Sequence, residues 1–321
     1  MSKYKNTILL YNPKAGKLQR NPQLLERIQR ILKEDGHNVT VVPTTGPGTA
    51  GQLAAEKANT PQDLLLVFGG DGTLNEAING MIGSKAVIGQ IPGGTANVLA
   101  CETGMGTNPE KAAARINSLI PTRVAAGRLT ATGLDAPRHF LLMCGGGVDA
   151  RIASDVDARV KARFGKLAYW LAGFAQLARP IEEFEVTAGG KTIRASFALA
   201  SRVRNYGGDL NIARNISLVD PRYECVFFEG SSGLKYLGYL CGVLLGRTAA
   251  MRGVTVMHAD SYVLTSPSNK QILLQSDGEI TGQLPATIDM VPNAINLLLP
   301  QAYLDKAAKY KARADRSLAD G

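Results

Sequence analysis

The chain has 321 residues, 45% of them hydrophobic and 20% charged, and its 36 Lys and Arg outnumber its 27 Asp and Glu to give a net charge of +9. This length is enough for two domains with sizeable cores, and the composition excludes a disordered chain or a fibrous repeat. The basic excess suits an anionic partner, such as nucleotide phosphate, nucleic acid or an acidic membrane face, although a merely basic soluble surface fits it equally.

The cysteines and the apolar segments indicate where in the cell the protein is located. The four cysteines are far apart and form no C-x-x-C pair, and no secretory-type apolar segment follows Met1. This pattern predicts free thiols in the reducing cytoplasm. The longest apolar stretch, residues 236–246, is shorter than the roughly 20 residues that span a bilayer. We therefore expect a soluble or peripherally membrane-associated protein.

Alternating strands and helices are predicted for the first third of the chain. Apolar runs at residues 7–11, 39–42, 64–68 and 86–89 predict strands, with helical stretches between them. Because these runs are almost continuously apolar, they indicate a doubly wound, mostly parallel α/β sheet covered on both faces. Ligands of such sheets bind beyond the carboxyl ends of the strands, so the loops after the strands are the candidate sites.

The first long helix has sequence signals at both ends. Asn21 is predicted to cap it, Pro22 to occupy its first position and Gly36 to end it. Its buried face is predicted from a stripe of apolar residues at helical spacing: Leu24, Leu25, Ile28, Ile31 and Leu32.

From about residue 122 the pattern changes to short strands. Residues 184–203 predict a hairpin that turns at Gly189-Gly190, and helical segments are predicted at 149–178 and 234–245. Further strands are predicted at residues 223–228, 253–258, 261–264, 271–275 and 286–291. The sequence thus predicts a second, antiparallel β-rich, sandwich-like domain. We place the α/β domain at residues 1–125, with a basic helical tail at 301–321 returning to it, and the β-rich domain at 126–300.

Two glycine-rich loops follow neighbouring predicted strands. The first, GGDGTLNE at residues 69–76, leads into a helix, and the second, at residues 92–97, contains Gly94, Thr95 and Asn97. Glycines let backbone amides approach phosphate oxygens, and a helix N-terminus adds a favourable dipole. Asp71 adds a carboxylate that can take a proton or hold a metal-linked water. Two such loops at one sheet edge predict a shared anion site, with a tight turn and an Asp helix cap as the alternative.

Other motifs carry less weight. Residues 46–51 match G-x-G-x-x-G, but Pro47 and the position of this loop after the second strand argue against a dinucleotide site. The three histidines lack metal-ligand spacing, and there is no Walker A loop, G-x-S-x-G elbow or His-Arg-Asp kinase loop. Nucleic-acid binding is not favoured, because the aromatic residues are not interleaved with the basic ones.

Together these loops resemble the diacylglycerol kinase catalytic-domain family, in particular the soluble bacterial lipid kinases related to sphingosine and ceramide kinases. The resemblance covers nearly the whole chain, through YNPKAG at 11–16, the two glycine loops, GVDA at 147–150, GKLAY at 165–169 and SDGE at 276–279. The Gly-Asp-Gly-Thr loop alone is shared with NAD kinases and phosphofructokinases. Its combination with Leu-Asn-Glu and with the Gly-Thr-Ala-Asn loop is more specific.

The resemblance implies that ATP lies across these loops and that a lipid hydroxyl, such as that of diacylglycerol, approaches from a cleft between the domains. It places the following residues around the nucleotide: Asn12, Pro13, Lys14, Ala15, Gly16, Thr44, Gly69, Gly70, Asp71, Gly72, Thr73, Leu74, Asn75, Glu76, Gly94, Thr95 and Asn97. It also implies that Asp277 or Glu279 takes the proton from the lipid hydroxyl, and that Asp71 acts through Mg²⁺ or water. By itself Asp-Gly-Glu is typical of a hairpin turn, and the residues do not decide which acid is the base.

Two positions depart from the family pattern. Where members often hold a structural magnesium with an Asp-Gly pair, this chain has Asp220-Pro221, so Ser217, Asp220 and Arg222 are the candidates for that metal. Val98 stands where many members have an acid after the Asn of the second loop, which suggests a changed lipid preference.

A lipid substrate also requires contact with a membrane. Lys161, Arg163 and Lys166 precede an apolar and aromatic stretch at 167–177, which suits either an anionic membrane interface or a core helix. The resulting hypothesis is a cytoplasmic lipid kinase that associates transiently with membranes, and a homodimer is compatible with it. An NAD kinase is the alternative enzyme, and a non-catalytic nucleotide-binding regulator is the alternative from another class.

Overall fold

The computed structural model describes residues 3–59, 63–155, 181–206, 210–267 and 270–319. Contacts divide them into two units, the first drawn from residues 1–126 and 292–309 and the second from 127–291 and 310–321. The chain therefore passes from one unit to the other three times. The predicted segment GKLAY at 165–169, with Lys161, Arg163 and the stretch at 167–177, lies outside the described residues.

The first unit is a parallel sheet with helices. Its strands are β1 (Asn6–Tyr11), β2 (Asn38–Pro43), β3 (Leu64–Gly69) and β4 (Val87–Pro92). Its helices are α1 (Gly16–Arg20), α2 (Leu24–Glu34), α3 (Thr49–Ala58), α4 (Asp71–Met81), α5 (Val98–Thr103) and α6 (Pro109–Ala113). The second unit and the strands shared with it comprise β5 (Ile120–Thr132), β6 (Arg138–Phe140), β7 (Met143–Gly147), α7 (Val148–Asp155), β8 (Phe184–Ala188), β9 (Lys191–Ala195), β10 (Phe197–Ser201), β11 (Asn205–Tyr206), β12 (Leu210–Asn211), β13 (Tyr223–Phe228), α8 (Gly233–Leu244), β14 (Val254–Ala259), β15 (Ser261–Thr265), β16 (Leu273–Ser276), β17 (Glu279–Leu299) and α9 (Gln301–Ala319).

In the first unit the pairs among β1 to β4 and the pair of β4 with the end of β17 are parallel. The order is β17-β4-β3-β1-β2, in which only the end of β17 takes part, through Asn296 opposite Val87. Every residue of β3 is buried, which explains why its sequence is apolar without alternation. One face of the sheet packs its alternate residues, such as Leu9 and Leu66, against α2 and α6, while α3 and α4 contact β1 and β3. The predicted parallel α/β sheet is confirmed.

The start of α2 differs from the prediction. Asn21 does not cap it: the Asn21 N–H donates to the carbonyls of Lys17 and Leu18 and so closes the short helix α1. The chain then turns, and α2 begins at Leu24 with Gln23 as its flanking residue and no capping side chain. The predicted buried stripe holds for Leu24, Ile28 and Leu32, whereas Leu25 and Ile31 are partly buried at its edge.

In the second unit the sheet is antiparallel. Along the order β14-β13-β10-β7-β16-β17 each of these pairs is antiparallel, as are β15 with β17 and with β8, and β8 with β9. The core includes five large aromatic residues, all essentially inaccessible to solvent: Phe140, Phe184, Tyr223, Phe227 and Tyr262. The predicted β-rich domain and the Gly189-Gly190 hairpin turn are confirmed.

Several strands lie where the sequence pattern does not predict them. β5 and β7 were not predicted, and β17 is 21 residues long although a strand was expected only at 286–291. The helix expected at 149–178 begins at Val148 and is described as far as Asp155. Among the described residues, no helix is both long enough and apolar enough to cross a bilayer.

Candidate active site

The two glycine loops touch each other at the carboxyl ends of β3 and β4. The Gly93 N–H donates to the carbonyl of Gly69 (2.8 Å), and a Cβ placed on Gly94 would lie 2.6 Å from the Cα of Gly70. Only glycine allows two backbones to come this close. The contact thus aligns backbone groups of both loops around one small space.

Helix α4 begins within the first of these loops. Gly70 is its flanking residue and Asp71 its first residue, so the N–H groups of its first turn, which have no acceptor within the helix, belong to the GDGT segment. The positive end of the helix dipole favours an anion there. Further along α4, Leu74 and Asn75 are buried, and the carboxylate of Glu76 accepts from the Ala50 N–H of α3 (3.3 Å).

Residues 12–16 form a third loop at the same edge. Asn12 ties this loop to the first one: its Nδ2 donates to the Thr73 hydroxyl (3.2 Å), and its Oδ1 accepts from the Lys14 N–H (2.8 Å). Pro13 and Lys14 are exposed, whereas Ala15 is buried. A Cβ at Gly16 would meet nothing within 4 Å. Thr44 is held beside this loop by its N–H, which donates to the carbonyl of Tyr11 (2.8 Å).

Asn97 supports the second glycine loop. It is fully buried in the left-handed conformation (φ 48°), its Oδ1 accepts from the Gly94 N–H (2.9 Å), and its Nδ2 donates to the Gly94 carbonyl (2.7 Å). Both ends of the amide are therefore used within the loop. Thr95, by contrast, is exposed. Asn97 shapes the loop, and Thr95 is the side chain that a ligand could reach.

Lys17 is a cation at this edge that the sequence reasoning did not select. Its Nζ donates to the carbonyls of Pro92 (3.3 Å) and Thr107, and its N–H donates to the carbonyl of Gly93 (3.2 Å). Burial lowers the pKa of Lys17 from its usual value. The available signal was its place directly after Gly16, at the start of α1.

In the second unit, Asp277 and Gly278 form the two-residue turn between β16 and β17. Both have positive φ, as in a type I′ hairpin, and Ser276 lies opposite Glu279. The Asp277 carboxylate accepts three backbone N–H groups, those of Leu141 (2.9 Å), Leu142 (2.8 Å) and Met143 (2.9 Å). Asp277 therefore anchors the turn to the segment that precedes β7.

Glu279 differs from Asp277 in its surroundings. Its side chain is about half exposed and pairs with the guanidinium of Arg138 (3.1 Å). The two acids of the predicted Asp-Gly-Glu motif thus have separate parts: one carboxylate is engaged by the backbone, and the other faces solvent beside an arginine.

A buried chain of hydrogen bonds supports this turn from inside. Asp149 of α7 accepts from the Tyr206 hydroxyl and from Nε2 of Gln275 (2.6 Å), and Oε1 of Gln275 accepts from the Gly278 N–H (2.8 Å). Burial raises the pKa of Asp149 from 3.8 to about 6, although the hydrogen bonds from Tyr206 and Gln275 oppose the shift. Asp149 belongs to the GVDA motif at residues 147–150, but no role for it was predicted from the sequence.

The three candidates for a structural magnesium do not form a cation site in this arrangement. Both carboxylate oxygens of the buried Asp220 accept from the Arg222 guanidinium (3.0 and 3.1 Å), and the Asp220 N–H donates to the carbonyl of Ser217. An arginine donates hydrogen bonds and cannot ligate a metal through its side chain. A guanidinium thus stands where a divalent cation would need the carboxylate, and the donor set does not fit one.

Comparison with known families settles the class of the chain. Residues 6–129 match the diacylglycerol kinase catalytic domain, and residues 143–299 match the YegS C-terminal NAD kinase beta sandwich-like domain. Residues 6–129 belong to the diacylglycerol kinase catalytic-domain family. The family is one of lipid kinases, and the touching glycine loops fall within its catalytic domain.

Named relatives of this family are similar over almost their full length. A diacylglycerol kinase of Bacillus subtilis (strain 168) is 26% identical over 311 residues, 92% of this chain and 97% of the relative. One of Mycobacterium tuberculosis (strain H37Rv) is 28% identical over 276 residues, 84% of this chain and 87% of the relative. A crystal structure of a diacylglycerol kinase from Bacillus anthracis str. Sterne matches with a TM-score of 0.70 at 23% identity, covering 94% of this chain and 99% of that one. The last comparison supports the fold.

Asp71 is the residue of this family site with the chemistry to bind Mg²⁺. Across the described ranges, no three His, Cys, Asp or Glu side chains group into a metal site. Mg²⁺ does not need such a cage, since it is commonly held by one or two carboxylates together with waters and substrate phosphates. A single carboxylate at the start of α4, beside loops suited to phosphate, fits that requirement.

Proposed function

We propose that the chain is an ATP-dependent lipid kinase that transfers the γ-phosphate to the hydroxyl of diacylglycerol or a similar lipid alcohol. The observation that supports this most strongly is the contact between the two glycine loops at the N-terminus of α4. Backbone amides at a helix N-terminus bind phosphate oxygens, and phosphoryl transfer depends mainly on such positioning and on neutralising charge.

The nucleotide is proposed to lie across the loops at residues 12–16, 69–76 and 92–97. Asp71 would hold Mg²⁺ together with the nucleotide phosphates, and the ion would neutralise charge on them. Lys17 adds positive charge at the same edge, where its Nζ is fixed by two carbonyls. Asn12, Asn97 and Thr73 hold the loops in shape.

Glu279 is proposed as the general base. Asp277 is ill suited to accept a proton, because its carboxylate already accepts three N–H groups. The exposed carboxylate of Glu279 would take the proton from the lipid hydroxyl as that oxygen bonds to the γ-phosphorus. The bond from the γ-phosphorus to the β–γ bridging oxygen breaks at the same time, and ADP leaves. Arg138 orients Glu279 for this task.

The test is transfer of radiolabelled γ-phosphate in mixed micelles that contain diacylglycerol, monoacylglycerol, sphingosine, ceramide or NAD. We expect label in one lipid, and we expect Glu279→Gln to lower kcat by about 10²-fold or more without changing the melting temperature. Asp277→Asn should lower both, since it disturbs the anchor of the turn. Glu185→Gln, on an exposed position of β8, is the matched control and should behave as wild type.

Each part of the proposal can fail separately. A wild-type kcat in Glu279→Gln would refute the base assignment. Label in NAD alone would identify an NAD kinase, and ATP binding without label in any substrate would identify a non-catalytic nucleotide-binding protein.

A further inference from the structure

Helix α8 is apolar on both of its faces. Its inner face is buried, with Tyr236 and Tyr239 packed on the ring of Phe228 (centroids 6.3 and 4.8 Å apart). Its outer face carries Leu234 and Leu237, which are 82% and 51% exposed, and Leu244 with the following Leu245, which are 62% and 74% exposed. A surface helix normally presents polar side chains outward, so this face is unusual.

The exposed apolar residues form one continuous stripe. At about 100° per residue, positions 234, 237, 241, 244 and 245 fall within an arc of about 100° on the helix. Cys241 is exposed as well and belongs to the same stripe. We call the set formed by Leu234, Leu237, Cys241, Leu244 and Leu245 the outer stripe.

The charged residues on α8 and on the segment that follows it are all basic, and this stretch is bounded by two exposed acids, Glu229 and Asp260. Residues 230–259 contain no Asp or Glu, but they contain Lys235, Arg247 and Arg252, all of them exposed. At the end of the helix, the guanidinium of the exposed Arg214 donates to the carbonyl of Gly246. Cations therefore flank an apolar stripe at both ends of α8.

We propose that α8 is the surface through which the protein docks onto an anionic lipid membrane. The outer stripe lies at the boundary of headgroups and acyl chains, while Lys235, Arg247 and Arg252 meet the anionic headgroups. A second copy of the chain is a poorer occupant, because a symmetric contact would bring these cations close to one another. The proposal deepens the proposed function, because a lipid kinase must reach a substrate held in a membrane.

Sedimentation of the full chain with vesicles tests the proposal. Vesicles of phosphatidylcholine are compared with vesicles of equal parts phosphatidylcholine and phosphatidylglycerol. We expect wild type to bind the anionic vesicles more strongly, and Leu237→Glu/Leu244→Glu to lower the partition coefficient about tenfold or more. Val263→Glu adds one such charge at an exposed apolar position of β15 and should leave binding unchanged.

A fluorescent label gives a second measurement. Cys144 and Cys225 are buried, so replacing Cys101 by Ser directs a thiol-reactive, polarity-sensitive dye to Cys241. Its emission should shift to the blue on anionic vesicles. Wild-type binding by the double variant, equal binding to both vesicles or an unshifted emission would overturn the proposal. So would a dimer, seen by light scattering, that Leu237→Glu dissociates.

A short-chain, water-soluble diacylglycerol separates this proposal from the proposed function. Phosphorylation of that substrate needs no docking, so the double variant should retain wild-type turnover on it. A chain that binds vesicles through the outer stripe but phosphorylates no lipid would support the docking surface and refute the kinase assignment. If the protein phosphorylates the soluble lipid but the double variant still binds vesicles as wild type does, the kinase assignment would be supported and the docking surface refuted.

Discussion

Asp149 is a buried carboxylate whose charged form is disfavoured by its surroundings. It is 1% exposed, and its two hydrogen-bond donors are a phenol and an amide, neither of which carries a positive charge. Gly145 makes room for it, because a Cβ at that position would lie 2.1 Å from Oδ2 of Asp149. Through Gln275 this carboxyl group reaches the turn that carries Asp277 and Glu279. The position of that turn therefore depends on a group that titrates near neutral pH.

The titration of Asp149 should make stability depend on pH. Burial raises its pKa from 3.8 to about 6, so the folded state keeps the proton over a range in which the unfolded chain releases it. The contribution of the Asp149 proton to the free energy of unfolding is complete below pH 3.8 and is lost as the pH rises to about 6. This contribution is about 3 kcal/mol. Urea unfolding across this range should show the fall in wild type and a smaller one in Asp149→Asn. In the exposed control Asp135→Asn, the free energy of unfolding should fall with pH as steeply as in wild type. An equally steep fall in Asp149→Asn would refute the prediction.

Helices α3 and α4 pack closely because glycines line their contact. A Cβ on Gly80 would lie 2.0 Å from the Gly51 carbonyl oxygen, and one on Gly51 would lie 2.9 Å from the carbonyl oxygen of Glu76. Gly51 is the last glycine of the G-x-G-x-x-G match at residues 46–51, which the sequence reasoning set aside as a dinucleotide site. The structure gives this glycine a packing role. Close packing here also brings Glu76 to the Ala50 N–H.

Gly80→Ala should therefore destabilise the protein. Helix propensity alone favours alanine over glycine by about 1 kcal/mol, but the added carbon would meet the backbone of α3, which cannot move without separating the helices. We expect a net loss of about 2 to 3 kcal/mol in the free energy of unfolding, measured in urea. Gly46→Ala is the control, since a Cβ there meets nothing within 4 Å. Equal stability of the two variants would show that the backbone of α3 can shift to accept a Cβ at position 80 at little cost in free energy.

The elements that the sequence predicted are those with local signals. Strands β1 to β4 lie within a few residues of their apolar runs. β1, β3 and β4 are largely buried and so need apolar residues almost throughout, whereas β2, at the edge of the sheet, is partly exposed. β7 reads MCGGG, which favours a loop, and it is a strand because Asp149 and neighbouring backbone occupy the space beside its glycines. β17 contains Pro285 and Pro292, which donate no N–H and so hide a long strand from pattern reasoning.

At the candidate site, the glycine loops could be predicted from the sequence, but the separate roles of Asp277 and Glu279 could not. Glycine spacing identifies both phosphate-type loops, since the requirement for close backbone approach is local. The choice between Asp277 and Glu279 depends on N–H groups more than 130 residues away along the chain. Likewise, only the structure shows that Arg222 holds the Asp220 carboxylate.

For the whole molecule, the net charge of +9 is the relevant quantity for membrane binding. Long-range attraction to an anionic surface is screened by salt, with a Debye length near 10 Å at 0.1 M. We expect the partition onto anionic vesicles to fall about tenfold between about 0.05 and about 0.5 M NaCl. Turnover on a short-chain soluble diacylglycerol in the same buffers is the control and should change much less. Salt-independent binding to these vesicles would show that charge contributes little.

Two of the three crossings of the chain, those within β5 and within β17, have a consequence for biosynthesis. When the first 126 residues leave the ribosome, β4 has β3 on one side and no strand on the other, because its second neighbour is residues 296–297. An unpaired apolar edge is a template for association with other chains. The nascent protein must therefore carry this open edge while some 170 further residues are translated. The α/β sheet is completed only when β17, the last strand to be translated, pairs with β4. Until then the open edge lowers the solubility of the nascent chain.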